Sequence, residues 1–270
     1  MTVASAVAPT EFSFLRELVE SKAGIVLEAD KSYLVEARLM PLVEREKLGS
    51  IGALIQRLRA DLRLTRLVIE AFTTNETSFF RDNAPFQTLK AQVLPALERR
   101  TDRVRIWSAA CSTGQEAYSL AMLAKDEFPG LVNRIEIVGT DLNEAVVAKA
   151  RNGRYSQLEV NRGLPAQALV RHFARQGMEW QIATSIRAMA QFRVQNLLEP
   201  WPATAPFDVV LLRNILIYFS LETRARLLKR IHGAIRPGGW LLLGSSENTM
   251  VPSDLFEVEF HGPICLFRPR

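Results

Sequence analysis

The chain reads V-R-I-W-S-A-A-C-S-T-G-Q-E-A-Y-S-L-A-M at residues 104–122. Its first part, Val104–Ala109, is apolar or β-prone at most positions and predicts a short buried strand. Ala110, Cys111, Ser112, Thr113 and Gly114 are small and predict a tight turn. Ala117, Leu120, Ala121 and Ala124 then fall at helical spacing. Open α/β sheets take nucleotide-like ligands at such a strand–turn–helix junction, outside the carboxyl end of the strand. With one glycine instead of G-x-G-x-x-G, the stretch by itself also fits an ordinary connection.

Downstream, residues 135–140 predict a second strand that stops at Asp141, 27 residues beyond Gly114. Asn143 can cap the helix Glu144–Asn152, which Gly153 ends. An acidic residue at the end of the second strand can accept hydrogen bonds from ribose hydroxyls, or it can serve helix capping alone. Residues 154–188 break the βα rhythm and predict an inserted sub-structure of short strands, with Trp180, Ile182 and Thr184 alternating. A third strand at 191–195 ends at Asn196. Phe207–Leu212 is nearly all apolar, as a doubly covered parallel strand should be, and Arg213 and Asn214 follow at its carboxyl end. Ser220 can cap the next helix, Pro237-Gly238-Gly239 predicts a turn, and residues 240–243 a fifth strand. Phe256, Val258 and Phe260 alternate with Glu257 and Glu259, which predicts a half-buried strand. His261-Gly262-Pro263 turns the chain into 264–267, so the sheet is expected to end in an antiparallel hairpin.

Upstream, residues 11–72 carry four apolar stripes at helical spacing and predict a small helical domain. Gly24 is its first stop, Asp30 and Ser50 are candidate caps, and Pro41 weakens the last turn of the second helix. Arg38, Arg45, Arg57, Arg59, Arg63 and Arg66 lie between the stripes, either as a solvated face or as a docking surface for an acidic partner helix. Residues 73–103 form a linker and a helix: T-T-N-E-T-S-F-F-R-D at 73–82, then a helix near Pro85 that ends at Arg99, Arg100 and Arg103. Residues 104–270 then form the α/β domain, with the insertion at about 154–188.

At 48% hydrophobic and 23% charged, the composition is that of an ordinary globular chain. No apolar run approaches the roughly 18 residues of a membrane span. Residues 1–10 lack the basic start and apolar core of a signal peptide, so a cytoplasmic location is expected. Two cysteines, Cys111 and Cys265, make neither a disulfide framework nor a zinc site, and no metal is expected. A net charge of +5 favours acidic partners without saying which.

A parallel α/β sheet ending in a hairpin resembles the S-adenosylmethionine-dependent methyltransferase fold. T-T-N-E-T-S-F-F-R-D (73–82), W-S-A-A-C-S-T-G-Q-E-A-Y-S (107–119), G-T-D-L-N (139–143), N-L-L (196–198), L-R-N-I-L-I-Y-F (212–219) and G-S-S-E (244–247) resemble the chemotaxis receptor methyltransferases of the CheR type. The resemblance spans about residues 11–270. It implies a protein-glutamate O-methyltransferase that uses S-adenosylmethionine, releases S-adenosylhomocysteine, and modifies the cytoplasmic helices of methyl-accepting chemoreceptors. It implies that Asn75, Thr77 and Arg81 contact the methionine end of the cofactor and that Glu116 lines the site. Asp141 would hold the ribose, Asn196 and Leu197 bracket the adenine, and Arg213 and Asn214 close the floor.

A glutamate nucleophile has a pKa near ~4.3, so it arrives ionised and needs no general base. That agrees with the absence of a Ser–His–Asp or Cys–His pattern and with only three histidines. Positioning and the match between carboxylate, sulfonium and local dipoles should supply the catalysis. Arg99 or Arg100 is a candidate for holding the incoming carboxylate. Cys111 reads as a small residue that fits its turn, with no catalytic part. The segment 172–196 is a few residues shorter than in family members that bind a receptor C-terminal pentapeptide, so no such tether is expected. A monomer is expected, with no membrane insertion and no nucleic-acid partner. Two rivals stay open: a nucleic-acid methyltransferase, which lacks an N-P-P-Y-type motif here, and a cofactor-sensing module without catalysis.

Overall fold

A computed structural model describes residues 7–203 and 205–270. The signal-peptide reading rests partly on residues 1–6, which lie outside the described residues. No described helix is long and apolar enough to cross a membrane. The chain forms two compact units: the residues up to Thr74 together with Tyr218–Thr223, and Asn75–Ile217 together with Arg224–Arg270.

The first unit contains α1 (Pro9–Ala23), α2 (Ser32–Arg45), α3 (Ile51–Leu58) and α4 (Leu62–Phe72). Leu15, Val19, Val35, Leu39, Leu54, Leu64 and Val68 form its core, each at most 1% exposed. Gly24 ends α1 in the left-handed region at φ 74°, as expected of a glycine at this position. Ser50 caps α3 by accepting from Ala53 N at 3.1 Å, and Asp61, which the sequence reading did not single out, caps α4 through Leu64 N at 2.9 Å. Asp30 is not a cap: Lys31 holds that position in α2 without a side-chain bond. Pro41 does not end α2 either, and the helix continues to Arg45. Burial of Leu39, Leu42 and Val43, at roughly 2 kcal/mol per side chain, outweighs the ~3 kcal/mol that an internal proline costs.

The arginines between the stripes separate into kinds. Arg38 donates to Ala71 O at 3.0 Å, Thr73 O at 3.0 Å and Thr74 Oγ1 at 3.2 Å, so it satisfies carbonyls that α4 leaves unpaired at its C-terminus. Arg38 is therefore not simply a solvated side chain. Arg63 makes a two-pronged pair with Glu46 at 3.1 and 2.7 Å, and Arg66 lies 4.0 Å from Glu70. Arg57 and Arg59 are exposed.

The second unit opens with α5 (Ala84–Thr88), a π-turn (Leu89–Val93) and α6 (Leu94–Glu98), where the sequence predicted one regular helix. Pro95 has no N–H and crowds the preceding turn, and the wider π-turn sits directly before it. Then come β1 (Val104–Ala109), α7 (Gln115–Glu127), β2 (Ile135–Asp141) and α8 (Glu144–Asn152). The insertion holds β3 (Arg154–Ser156), α9 (Gln157–Asn161), α10 (Ala166–His172), β4 (Phe173–Gln176), β5 (Glu179–Ile182) and α11 (Thr184–Arg187). Its strands form a three-stranded sheet, β3-β5-β4, but Thr184 begins a helical turn and does not extend the strand. β6 (Ala190–Val194), β7 (Phe207–Leu212), α12 (Leu221–Ala234), β8 (Ile235–Leu243), β9 (Phe256–His261) and β10 (Ile264–Pro269) complete the chain.

The main sheet has the order β6-β2-β1-β7-β8-β10-β9. β6, β2, β1, β7 and β8 are parallel, while β10 and β9 run antiparallel, as the hairpin reading required. The chain reverses its winding direction between β1 and β7, which makes their carboxyl ends the switch-point crevice of an open sheet. Pro237-Gly238-Gly239 is no turn between elements: it lies within β8 as an irregularity, with Ile235 opposite Phe207 and Trp240 opposite Val209. The alternation in β9 also misled, because only Phe256 is buried, while Val258 and Phe260 are 38% and 73% exposed on the outermost strand. At the amino edge, buried Asp208 accepts from Arg105 N at 2.7 Å, Arg100 at 2.5 Å and Arg236 at 2.7 Å, tying β7 to β1, to the end of α6 and to the start of β8.

Candidate functional site

The turn after β1 is built from backbone that side chains resist. Ala110, Ser112 and Gly114 have φ of 58°, 50° and 92°. Gly114 is needed there, because a Cβ would sit 2.9 Å from Ala150 and 3.1 Å from Phe192. The glycine thus serves the packing of α8 and β6 against the turn. Ser112 N donates to Asp141 Oδ2 at 2.8 Å, and Ser112 Oγ donates to Asn75 O at 2.8 Å. The turn, the end of β2 and the start of the 75–82 strap are therefore fastened at one serine. Asp141 also accepts from Asn143 N at 3.0 Å, and the helix cap is Asn143, which accepts from Ala145 N and Val146 N. Gln195 N donates to Asp141 O at 2.8 Å, which brings Asn196 to the same edge.

Arg213, the residue after β7, is the hub of the second half. Its side chain is 2% exposed. Nη1 donates to Glu116 Oε2 at 2.9 Å; Nη2 donates to Asp82 Oδ2 at 2.8 Å and to Arg81 O at 3.1 Å. Glu116 in turn accepts from Ser108 Oγ at 2.7 Å. A buried arginine thus ties β7 to the first turn of α7 and to the strap. Phe80 N donates to Ser119 Oγ at 2.9 Å, and Gly163 presses its backbone against Phe79 O so closely that a Cβ would lie 2.1 Å away. Phe80, Asp82 and Asn83 all have positive φ, as does Asn214 at 58°. Of the seven described non-glycine residues with positive φ, six fall at the end of the strap (Phe80, Asp82 and the adjoining Asn83), in the β1 turn and at Asn214. Such residues cost roughly 1–3 kcal/mol each and concentrate where function over-determines the backbone.

The structure thus links Asn75, Arg81, Glu116, Asp141, Arg213 and Asn214 by short bonded paths at the carboxyl edge of β1, β2 and β7. Asn196 accepts from Leu198 N at 3.0 Å, and Leu197 is buried, its carbonyl accepting from Trp201 and Arg230. Thr77 is half-buried on the strap. Arg100 and Arg99 do not belong here. They end α6 at the amino edge, where Arg100 pairs with Asp102 and Asp208, the length of a strand away from the site. That position removes both as holders of a substrate carboxylate. Sequence reasoning missed Asp82, Ser112 and Glu247. Asp82 and Glu247 stood inside motifs quoted for the resemblance, but their partners are set by contacts 131 and 33 residues away.

Arg213 Nε is buried with no hydrogen-bond partner among the described residues. A buried cationic donor left over at the mouth of two strands fits a polar ligand group at this edge. Together with the Asp141 carboxylate as acceptor and the turn's backbone, this donor suits an adenosyl cofactor with an amino-acid tail. Cys111 supplies no nucleophile: burial, then the nearby Asp141 and Glu116 charges, push its thiol well above the ordinary 9.0. A groove of 1020 Å³ is lined by residues 78–83, by Gln87 and Lys90, by the C-terminal half of α7 and by residues from 161 to 171; Asp141, Glu116 and Arg213 do not line it. Lys90 pairs with Glu127 and Arg171 with Asp126 along it.

Sheet order, hairpin and switch-point site define an S-adenosylmethionine-dependent methyltransferase. Residues 75–261 match the family model described as "CheR methyltransferase, SAM binding domain", and residues 10–73 match "CheR methyltransferase, all-alpha domain". The chain is 41% identical to chemotaxis protein methyltransferase 1 of Pseudomonas aeruginosa, over 97% of this chain and 99% of that protein. It is 42% identical to a chemotaxis protein methyltransferase of Pseudomonas putida, over 88% and 90%, and 35% identical to one of Vibrio parahaemolyticus, over 97% and 98%. The chain belongs to the CheR family of chemotaxis methyltransferases.

Proposed function

We propose that this enzyme methylates glutamate side chains on the cytoplasmic helices of chemoreceptors, giving methyl esters, and does so without a receptor C-terminal pentapeptide tether. One observation supports the choice of a carboxylate acceptor: among the described residues, no histidine and no thiolate stands free at the site to take a proton. His172 is bonded to Asp126, His261 lies by Glu259, His232 lies against Phe256, and the Cys111 thiol is held protonated. Glu116 is committed to Arg213 and Ser108. An amine or hydroxyl acceptor has to lose a proton, whereas a carboxylate is already ionised at neutral pH.

S-adenosylmethionine, when bound, supplies a methyl group on a sulfonium. The Ser112–Asp141 bond, which holds the β1 turn against β2, supports a ribose role for Asp141. Asn75, Thr77 and Arg81 on the strap face the methionine-end role, Asn196 and Leu197 the adenine role, and Arg213 and Asn214 the floor. The strained strap, pinned by Arg213, Ser119 and Gly163, excludes water from the crevice and fixes its width. Residues 11–72 serve receptor docking and residues 104–270 the chemistry. With Arg38 committed to α4, exposed Arg57 and Arg59 carry most of the attraction to an acidic helix. Their charge reversal raises KM more than it lowers kcat.

The reading is tested with labelled S-adenosylmethionine and three arms: receptor cytoplasmic fragments, RNA, and no acceptor. Base-labile label on the receptor fragment alone is expected; label on RNA, or none on any acceptor, refutes it. The tether-free reading rests on the short 172–196 segment. Micromolar binding of the receptor pentapeptide in a titration overturns that part.

A further inference from the structure

Glu247 is fully buried, yet among the described residues it makes no ion pair. It lies in the 3-10 turn Ser245–Met250 that follows β8. Its Oε2 accepts from Asn214 N at 2.7 Å and Gly244 N at 2.9 Å; its Oε1 accepts from Ile215 N at 2.8 Å and Leu216 N at 2.7 Å. Four backbone N–H groups thus surround one carboxylate, three from the segment leaving β7 and one from the segment leaving β8. Charge-assisted bonds of this kind are about twice as strong as neutral ones, and convergent N–H groups form a concave nest for an anion. Here the protein fills the nest with its own side chain. Gly244 makes room: a Cβ there would lie 2.7 Å from Glu247 Oε2 and 2.8 Å from Asn214 Nδ2.

The nest fixes backbone that would not hold this shape alone. Asn214 is left-handed at φ 58°, a conformation a non-glycine residue adopts at a cost. Directly before it stands Arg213, whose side chain reaches Glu116 and the strap. The backbone is held from one side by Glu247, and the preceding side chain from the other by Glu116 and Asp82.

We propose that Glu247 is a positioning residue for cofactor binding: its carboxylate, through the N–H groups of Asn214, Ile215, Leu216 and Gly244, sets the Arg213–Asn214 floor of the adenosyl site. The inference concerns the cofactor step alone and is independent of which acceptor is methylated. In Glu247→Gln, the amide NH2 replaces one acceptor oxygen and confronts two N–H donors, so two bonds are lost at nearly unchanged volume. Gly244→Ala keeps the carboxylate but displaces it sterically, and serves where Glu247→Gln fails to fold. Ser246→Ala, exposed on the same turn, is the control.

Two readouts are taken on the full chain: amide hydrogen exchange of the segment 213–217 without ligand, and S-adenosylhomocysteine affinity by calorimetry. Glu247→Gln, or Gly244→Ala in its place, is expected to speed exchange in that segment and to weaken the affinity at least tenfold, with a cooperative melting transition retained. Ser246→Ala is expected to match the wild type in both. Affinity within twofold of wild type in a folded variant, with or without a lowered melting temperature, makes Glu247 a stability residue only and overturns the proposal.

Discussion

Removing the Arg213 cation should reveal whether the site's ion network is one cooperative unit. In Arg213→Met, Glu116 is left 11% exposed as a side chain with its charge uncompensated, while Asp82, 48% exposed, regains solvent. At an effective dielectric of about 20, charges ~4 Å apart attract by about 4 kcal/mol before desolvation is counted. Most of the Asp82 share is screened, leaving ~1 kcal/mol or less. The Glu116 share is not, and breaking a buried pair from one side costs about 3–5 kcal/mol. Arg213→Met should therefore lose about 4 kcal/mol. Glu116→Gln removes the stranded charge, so the double variant should be less destabilised than the sum of the singles by about 2 kcal/mol. Urea unfolding followed by tryptophan fluorescence measures this without added ionic screening. Trp107, Trp180, Trp201 and Trp240 all lie in the second unit, so the signal reports on the unit that holds the pair. Additivity within about 0.5 kcal/mol would refute the coupling and with it the hub role of Arg213.

Asp141→Ala should weaken S-adenosylhomocysteine binding at least tenfold in calorimetry, and unchanged affinity refutes the ribose assignment. Cys111→Ala should keep most activity; iodoacetamide at pH 8 should alkylate the half-buried Cys265 and spare Cys111 until urea unfolds the chain, because burial holds the Cys111 thiol well above its ordinary value. Hydrogen bonds from Arg100, then Arg236, hold the Asp102 carboxyl below its ordinary 3.8. Its stabilising effect is therefore complete above about pH 4 and fades as pH falls through the lowered value. Asp102→Asn should flatten the acid limb of urea stability measured from pH 2 to 6, and an unchanged slope counts against the pairing.

The layout of the catalytic unit was legible in the sequence for a definite reason. β1, β2 and β7 are central parallel strands, buried on both faces, so their apolar runs and the small-residue turn at 110–114 are local signals. The helix caps Ser50 and Asn143 and the stops Gly24 and Gly153 were legible too, since a cap acts within three or four residues. Where the sequence misled, distant contacts overrode local pattern. α2 passes Pro41 because its apolar face is buried, and β9 alternates without burying Val258 and Phe260 because it is the last strand of its sheet.

The site divides along the same line. The residue types at the ends of successive strands, Asp141, Asn196, Arg213 and Asn214, follow from the strand boundaries, and so from sequence alone. What each side chain does there depends on partners far along the chain. Arg213 meets Asp82 across 131 residues and Glu116 across 97; Ser112 meets Asn75 across 37 and Asp141 across 29. Arg100 carried the right charge for a substrate carboxylate, but the fold spends it at the opposite edge on Asp208. Sequence therefore determined the sheet, its ligand edge and the kinds of groups along it, because hydrophobic periodicity and turn chemistry are short-ranged. Only the tertiary structure decided which charges pair, which backbone is held left-handed, and that the buried Glu247 carboxylate gathers the N–H groups of Asn214, Ile215 and Leu216, because hydrogen bonds and ion pairs are fixed by distances in space.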